Sequence, residues 1–352
     1  MSKSRRYPII GLCALLFVVL LTWYFTRTPQ VPAPPAIAHG YSKALRLAHN
    51  GEPGAARVLY QQLERQDLSD VRRAALHAEL PNYPSPQALR LASKDLANEA
   101  PLVRQAAIHS IVGLVPSGQR TLLLGPLLDD PEQSVRFAAA NALLGLSPDT
   151  LGLYFGPLQQ VLDEFEKQLK DQPETAEGWI QLARLYIHSV RLVEAQNTLE
   201  QALRLEPDNL PAVVAQIELL DKQGKVDDSR QLLAKQLQAH PESAYLQHAL
   251  GMWLLHHGER EYALLGLSKA VELEPDNQDY RYDLATTLHD QQELEAAQRQ
   301  LEEIVQRHPE NRKARVLLVN YWKESGQLQN VQVLLAQLEQ QNPDDPALQQ
   351  GL

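Results

Sequence analysis

The sequence predicts an all-α fold, a right-handed solenoid of helical hairpins behind one N-terminal transmembrane helix. A fixed period of 34 residues and an uncharged apolar run near the N-terminus support this prediction. The periodic prolines are Pro173, Pro207, Pro241, Pro275, Pro309 and Pro343, and the periodic leucines are Leu199, Leu233, Leu267, Leu301 and Leu335. A period of this length indicates one supersecondary unit that is copied and stacked.

Residues 8–25 read PIIGLCALLFVVLLTWYF and carry no charge. As a helix they are about 27 Å long, close to the ~30 Å hydrocarbon core of a bilayer. Trp23 and Tyr24 end the run, where aromatic side chains meet the membrane surface. Because Lys3, Arg5 and Arg6 precede it, we expect residues 1–7 to stay in the cytoplasm.

A cleaved signal peptide is the alternative for this segment. The run is longer than a usual signal-peptide core, and the nearest Ala-x-Ala, Ala36-Ile37-Ala38, lies well beyond its end. We therefore expect an uncleaved anchor in a bacterial inner membrane. Residues 26–39 are proline-rich and form a spacer, and the solenoid lies in the periplasm.

Composition limits the chemistry. A formal net charge of -10 argues against a nucleic-acid partner. Cys13 is the one cysteine, so the exported part lacks the thiols for covalent haem, a cysteine zinc site or a thiol nucleophile. We expect no cofactor.

Residues 40–155 carry a second repeat, of 32 residues. The segments SDVRRAAL, APLVRQAAI and QSVRFAAA align Val71, Val103 and Val135, and they align Arg72, Arg104 and Arg136. This pattern resembles HEAT repeats, most clearly over residues 122–146. The aligned arginines predict either a basic recognition stripe or hydrogen bonds between successive repeats, and we favour the hydrogen bonds.

Residues 156–345 carry the 34-residue units, which start at 176, 210, 244, 278 and 312. The first unit, AEGWIQLARLYIHSVRLVEAQNTLEQALRLEPDN, resembles the tetratricopeptide (TPR) repeat. Residues 156–173 match the second helix of such a unit, so we expect the two arrays to form one continuous curved body.

The C-terminal tail, residues 346–352, is too short for a full capping helix. A partner or a second copy then covers the last unit, or the end stays open. We favour the open end, because residues 337–341 are mostly polar.

HEAT-like repeats that run directly into TPRs resemble the C-terminal region of some bacterial multihaem c-type cytochromes. The resemblance spans about residues 98–345, without any Cys-x-x-Cys-His motif. The resemblance implies that this chain keeps the protein-docking portion of such a cytochrome. A membrane anchor takes the place of the haem-bearing part.

The sequence predicts no enzyme and no metal site. It contains no His-Glu-x-x-His motif, nucleophile elbow or phosphate-binding glycine loop. His256 and His257 are adjacent, so on a helix they point about 100° apart.

The TPR resemblance implies a partner-binding groove on the first helix of each unit. Its candidate residues are Arg184, His188, Glu218, Tyr245, His248, Met252, Tyr282, Thr286 and Asn320. Tyrosine, histidine and methionine dominate the centre of this set, which suits an extended or helical peptide. The lysine and asparagine set by which some TPRs clamp a carboxylate is absent.

The predicted function is a membrane-anchored periplasmic scaffold for a protein or peptide partner. A c-type cytochrome, in an electron-transfer or cytochrome-maturation complex, is the partner that the resemblance suggests. The alternative is a periplasmic chaperone for exported-protein clients near the translocon.

Overall fold

The computed structural model describes residues 40–171 and 175–349, and all its regular elements there are helices. The N-terminal helices are α1 (Tyr41–His49), α2 (Ala55–Leu63), α3 (Asp70–Glu79), α4 (Pro86–Asp95), α5 (Pro101–Leu114), α6 (Ser117–Leu124), α7 (Gln133–Leu143), the single turn α8 (Pro148–Leu151) and α9 (Phe155–Asp171). The later helices are α10 (Ala176–His188), α11 (Leu192–Leu205), α12 (Leu210–Lys222), α13 (Val226–Ala239), α14 (Ala244–His256), α15 (Arg260–Leu273), α16 (Gln278–Asp290), α17 (Leu294–Arg307), α18 (Arg312–Glu324), α19 (Leu328–Gln341) and α20 (Pro346–Gln349).

The predicted anchor and spacer, residues 8–39, lie outside the described residues. Among the helices that are described, none combines the length and the apolar character needed to cross a membrane. The described residues from Tyr41 onward form one compact unit.

Helices α1–α9 share one apolar core, which includes Leu59, Leu76, Ile111 and Leu143. Helix α5 packs against both α3 and α7. Ala107 and Ala139 are fully buried on these helices, where their small side chains let the helix axes approach closely.

The arginine series continues through Arg73 in the first repeat. Val71 is 69% exposed, and the Arg72 guanidinium lies 5.4 Å from the centre of the Tyr41 ring at the surface. Arg73 is buried instead, and its Nη1 donates to the Leu63 carbonyl at 3.0 Å. Because adjacent helix residues point about 100° apart, only one of these two arginines can face the neighbouring repeat. The predicted alignment is therefore wrong by one residue here.

In the C-terminal array, α10, α12, α14, α16 and α18 are the first helices of successive hairpins. They begin at residues 176, 210, 244, 278 and 312. Each hairpin turns through a residue with positive φ: Val190 (59°), Gly224 (75°), Gly258 (79°), Gln292 (68°) and Gly326 (75°). In two of the hairpins, Val190 and Gln292 therefore occupy a left-handed turn position that favours glycine.

In the third hairpin, the two helices pack so closely that only glycine fits at their crossing. Gly251 lies on α14 and Gly266 on α15. A Cβ on Gly266 would lie 2.9 Å from the Gln247 carbonyl oxygen and 3.0 Å from the Gly251 nitrogen. These are backbone atoms of α14, so neither helix can accept a methyl group there without moving.

The two ends of the described solenoid meet. The Gly54 amide donates to the Gln340 carbonyl at 2.7 Å, and the Asn342 side-chain amide donates to the Pro84 carbonyl at 2.7 Å. The prediction that the last unit has an open end is therefore wrong, because the chain's own N-terminal helices cover it. We call this contact the seam, formed by residues 51–54 and 79–84 on one side and by residues 309–315 and 337–345 on the other.

Candidate functional site

The first helices of units 1 to 3 form an open cavity of about 450 Å³. Helix α10 contributes Arg184, α12 contributes a stretch from Val214 to Lys222, and α14 contributes a stretch from Tyr245 to His256. Five of the nine predicted residues lie in its lining, namely Arg184, Glu218, Tyr245, His248 and Met252. The cavity thus combines an apolar and aromatic floor with charged groups of both signs, as peptide-binding surfaces do.

Side chains of different units meet in this cavity. Arg184 Nη2 donates to the Tyr245 hydroxyl at 3.2 Å, which links unit 1 to unit 3 across α12. His248 Nε2 lies 2.8 Å from Asp283 Oδ2 of unit 4, and its ring stacks on Tyr280 with centroids 4.6 Å apart. These contacts fix the aromatic residues in place before any partner arrives.

An acidic side chain closes the far end of the cavity. The Asp221 carboxylate lies 3.0 Å from His257 Nε2 and 3.5 Å from the exposed His256. The His257 ring stacks on Trp253, and the Trp253 indole donates to Ser229 Oγ at 3.0 Å. Among the described residues, no cluster of three histidine, cysteine or acidic side chains could hold a metal ion.

Met252 is the most accessible apolar contact in the cavity, with 41% of the residue exposed. Its unbranched thioether adapts to ligands of different shape. It therefore presents an exposed apolar surface between Tyr245 and His256.

The other four predicted residues lie elsewhere. His188 is exposed, and its Nδ1 bonds to the Arg184 carbonyl of its own helix at 2.8 Å. The Thr286 hydroxyl donates to the Asp283 carbonyl at 3.0 Å, also within its own helix. Tyr282 and Asn320 line a second cavity of about 450 Å³ beside the seam. That the nine residues bind a partner stays a prediction.

This second cavity contains residues from both ends of the chain. Pro81, Asn82 and Gly113 face Tyr282 and Asn320 across it. The Lys313 ammonium lies 3.8 Å from the centre of the Tyr282 ring, a cation–π contact. Burial raises the pKa of Tyr282, and the neighbouring Asp283 carboxylate adds to the increase.

The buried Arg104 and the partly exposed Arg136 join successive repeats of the N-terminal array. Arg104 Nη1 donates to the Asn98 carbonyl at 2.8 Å, and its Nη2 donates to Asp130 of the next repeat at 2.7 Å. Arg136 donates to the Asp130 carbonyl at 2.7 Å and to Glu164 at 2.9 Å. Hydrogen bonds between repeats therefore occupy these guanidinium groups, as we favoured over a recognition stripe.

The first member of this series belongs to a polar network that sequence reasoning missed. Arg73 Nη1 donates to Asp95 Oδ2 at 2.7 Å, and His77 Nε2 lies 2.8 Å from the same oxygen. His77 Nδ1 lies 2.9 Å from Ser110 Oγ. Burial raises the pKa of Asp95, but hydrogen bonds from His77 and Arg73 outweigh it, so the pKa is lowered.

The Ser110–His77–Asp95 constellation resembles a hydrolase triad in its contacts. Ser110 and His77 are completely buried, however, and the Ser110 hydroxyl donates a hydrogen bond to the His77 carbonyl at 2.9 Å. A nucleophile must be reachable by its substrate, so the buried Ser110 does not fit that role. The network instead holds α3, α4 and α5 together. Its members lie 18 and 33 residues apart, so no local motif indicates it.

The family model described as "Tetratricopeptide repeat" matches residues 191–252 and 288–352. Those residues are tetratricopeptide repeats. The match covers the end of unit 1, all of unit 2, the start of unit 3, unit 4 from residue 288 onward and all of unit 5. The resemblance of residues 40–155 to HEAT repeats, and of the whole array to multihaem cytochromes, stays a prediction.

Among curated proteins, the chain is 32% identical over 97 residues to "Uncharacterized protein y4yS" of Sinorhizobium fredii (strain NBRC 101917 / NGR234). This match covers 28% of the chain and 53% of the relative. The chain therefore matches about half the length of that relative.

The solved structures that are similar to this chain include yeast Tom70 and TTC0263. Yeast Tom70 is 16% identical, with 85% of this chain and 56% of Tom70 covered at a TM-score of 0.49. TTC0263, a thermophilic TPR protein in Thermus thermophilus, is 20% identical, with 58% of this chain and 98% of TTC0263 covered at a TM-score of 0.41.

Proposed function

We propose that this protein is a non-enzymatic scaffold that holds a protein or peptide partner in the cavity of TPR units 1 to 3. The observation that supports this best is the open cavity across α10, α12 and α14, with Tyr245 and the exposed Met252 at its centre. Its rim carries both acidic and basic side chains, including Arg184 and Glu218. Such a lining suits an extended or helical segment that has apolar anchors and a few polar groups.

A photo-crosslinking amino acid at Met252 tests this proposal in the full-length protein. We expect one stoichiometric crosslinked product from position 252, and none from the matched position Tyr262, which is exposed on α15 outside the cavity. Equal crosslinking from both positions would show that the cavity has no special role.

A double substitution measures the contribution of the cavity to affinity. Tyr245→Ala with Met252→Ala removes the aromatic and thioether contacts, and we expect at least a tenfold weaker affinity for the crosslinked partner, since buried anchors dominate such interfaces. Tyr262→Ala with Leu265→Ala removes a similar apolar area from α15 and serves as the control. An unchanged affinity in a folded double mutant contradicts the cavity assignment.

We further propose that residues 8–25 anchor the protein in a bacterial inner membrane, with the repeats in the periplasm. The uncharged run and the preceding positive charges support this topology. The full-length protein should stay with membranes in alkaline buffer, whereas Leu16→Lys with Val19→Lys should release it, because charges inside the bilayer are costly. Release of the unmodified protein would contradict the anchor.

Protease added to spheroplasts should digest the repeats, and resistance would contradict the topology.

The partner that we propose first is an electron-transfer or cytochrome-maturation component, by resemblance to the cytochrome-linked arrays. The adaptable Met252 gives some support to the second candidate, a chaperone for exported proteins. The crosslinks at position 252 separate the two functions. One partner supports the scaffold, and many unrelated unfolded clients support the chaperone.

A further inference from the structure

The seam is held by polar contacts between the two ends of the solenoid. Besides the backbone hydrogen bond from Gly54 to Gln340, the Gln341 side-chain amide donates to the Gly51 carbonyl and Asn342 donates to Pro84. When such contacts separate, water can replace each partner, so the net free energy gained per hydrogen bond is small.

Other junctions of the solenoid are apolar. One buried cluster of apolar side chains runs through the N-terminal array from Ala44 to Val161, and later clusters each join neighbouring hairpins. Within the described residues, none of these clusters joins the N-terminal helices to residues 305–345. A cavity of about 250 Å³ lies at the seam, lined by Gly51 and Pro53 on one side and Arg315 on the other.

Charge at the seam also opposes closure. Arg315 is 2% exposed, and its hydrogen-bond acceptors are the Pro309 carbonyl and the side-chain oxygens of Gln337 and Gln341, all uncharged. Burial lowers the pKa of Arg315 to about 10, although Tyr83 opposes the change. Among the described residues no carboxylate pairs with Arg315, and a buried cation without such a partner makes the closed seam less stable.

The Glu79 and Glu310 carboxyl groups lie on opposite sides of the seam, near enough to influence each other electrostatically. Burial raises the pKa of Glu79, and the Glu310 carboxyl from the other end of the solenoid adds to the increase. His49, whose Nδ1 lies 3.4 Å from Glu79 Oε1, opposes the increase. Tyr83 is another titratable group near Glu79 and Glu310, and burial raises its pKa as well. On the other side of the seam, His308 Nδ1 lies 3.5 Å from the Glu310 carboxylate. The contribution of Glu310 comes from across the seam, so repulsion between the two carboxylates disfavours closure when both are ionised.

We propose that the seam is a reversible closure, which opens and rejoins while the helices of the solenoid stay folded. Opening moves Pro81, Asn82 and Gly113 away from Tyr282 and Asn320, so it uncovers the first helices of the last TPR units. This regulation rests on the proposed function of the TPR surface, since it controls how far along that surface a partner can bind.

Hydrogen exchange of the Gly54 amide tests the proposal, because its acceptor lies on the other side of the seam. The Lys225 amide, which donates to the Leu220 carbonyl at 2.9 Å within one hairpin, is the matched control. We expect Gly54 to exchange at least tenfold faster than Lys225 once intrinsic rates are divided out, because opening at the seam does not require helix unfolding.

Two variants should shift this exchange in opposite directions. Asn342→Ala removes one seam hydrogen bond and should speed Gly54 exchange about fivefold. Glu79→Gln removes the ionised carboxylate near Glu310 and should slow it. Lys225 exchange should not change in either variant. Gly54 exchange as slow as that of Lys225, and insensitive to both variants, would overturn the proposal.

A distance measurement gives an independent result. Spin labels at Pro53→Cys and Gln340→Cys, in the full chain with Cys13→Ser, should show a short and a long population. Labels at Asp276→Cys and Arg307→Cys, which contact each other within the TPR array, should show one. A single short distance across the seam would exclude opening. No partner is present in either experiment, so failure here leaves the proposed scaffold function untouched.

Discussion

Asp95→Asn tests how far the fold depends on the buried arginine series. The Asp95 carboxylate, with its side chain 4% exposed, lies between Arg73 and His77. Asparagine keeps the shape but removes the charge that compensates the Arg73 guanidinium. Removal of one partner from a buried ion pair costs about 3–5 kcal/mol, because the other charge stays buried. We therefore expect the free energy of unfolding to fall by about 3 kcal/mol or more.

The next two repeats provide matched comparisons at the equivalent arginines. Asp130 pairs with Arg104, and its side chain is 5% exposed, so Asp130→Asn should cost about the same. Glu164 pairs with Arg136 but is 49% exposed. An exposed ion pair contributes about 0–1 kcal/mol, so Glu164→Gln should have almost no effect.

Urea unfolding followed by far-UV circular dichroism at pH 7 measures these differences. Since repeat arrays need not unfold in one step, hydrogen exchange of the α3 and α5 amides should be measured alongside. The two readouts should rank Asp95→Asn and Asp130→Asn well above Glu164→Gln. A cost below about 1 kcal/mol for Asp95→Asn would refute the reasoning, because the buried arginine would then not need its carboxylate.

Three further predictions concern stability. Val190→Gly should raise the free energy of unfolding by about 0.5–1 kcal/mol, because a valine at positive φ costs ~1–2 kcal/mol and glycine returns part of this as backbone entropy. The reverse change Gly258→Val should lower it, and a loss of stability in Val190→Gly would contradict the turn assignment. Gly266→Ala should lower the free energy of unfolding, despite the better helix propensity of alanine. Gly156→Ala, which has nothing within 4 Å of the new methyl group, should raise it by up to ~1 kcal/mol in the same urea assay. Equal effects of the two substitutions would contradict the close approach of α14 and α15. Because its pKa is lowered in the folded state, Asp95 should add stability above about pH 4, its ordinary pKa, and lose this contribution as the pH falls through the folded value; urea titrations at pH 7 and pH 3 should show a smaller acid loss for Asp95→Asn, and an equal loss would contradict this assignment.

Local sequence patterns predicted most of the helical architecture. The 34-residue period indicated the first helices of the TPR units, because each unit uses the same small and large apolar residues at the same helix positions. The 32-residue pattern also predicted inter-repeat hydrogen bonds from Arg104 and Arg136. It failed at Arg72, because the pattern RR leaves open which arginine faces inward. In the structure Arg73 is the buried one, and it donates to the Leu63 carbonyl and to Asp95.

The candidate site was predictable only in part. The positions of Arg184, Tyr245 and Met252 follow from the repeat, so the sequence indicated them. Tyr282 and Asn320 hold equivalent positions, yet they face the N-terminal helices rather than open space. That difference depends on residues that lie about 170 or more positions apart in the sequence, which no local period encodes.

The sequence by itself determined the all-helical repeat architecture, the unit boundaries and the absence of any thiol beyond Cys13. These properties depend on residue identity and on spacings shorter than one repeat. Only the tertiary structure decided that the two ends meet at the seam, and that Ser110, His77 and Asp95 form a buried network. Solenoid curvature accumulates from small rotations at every junction, so closure depends on the sum of all the junctions.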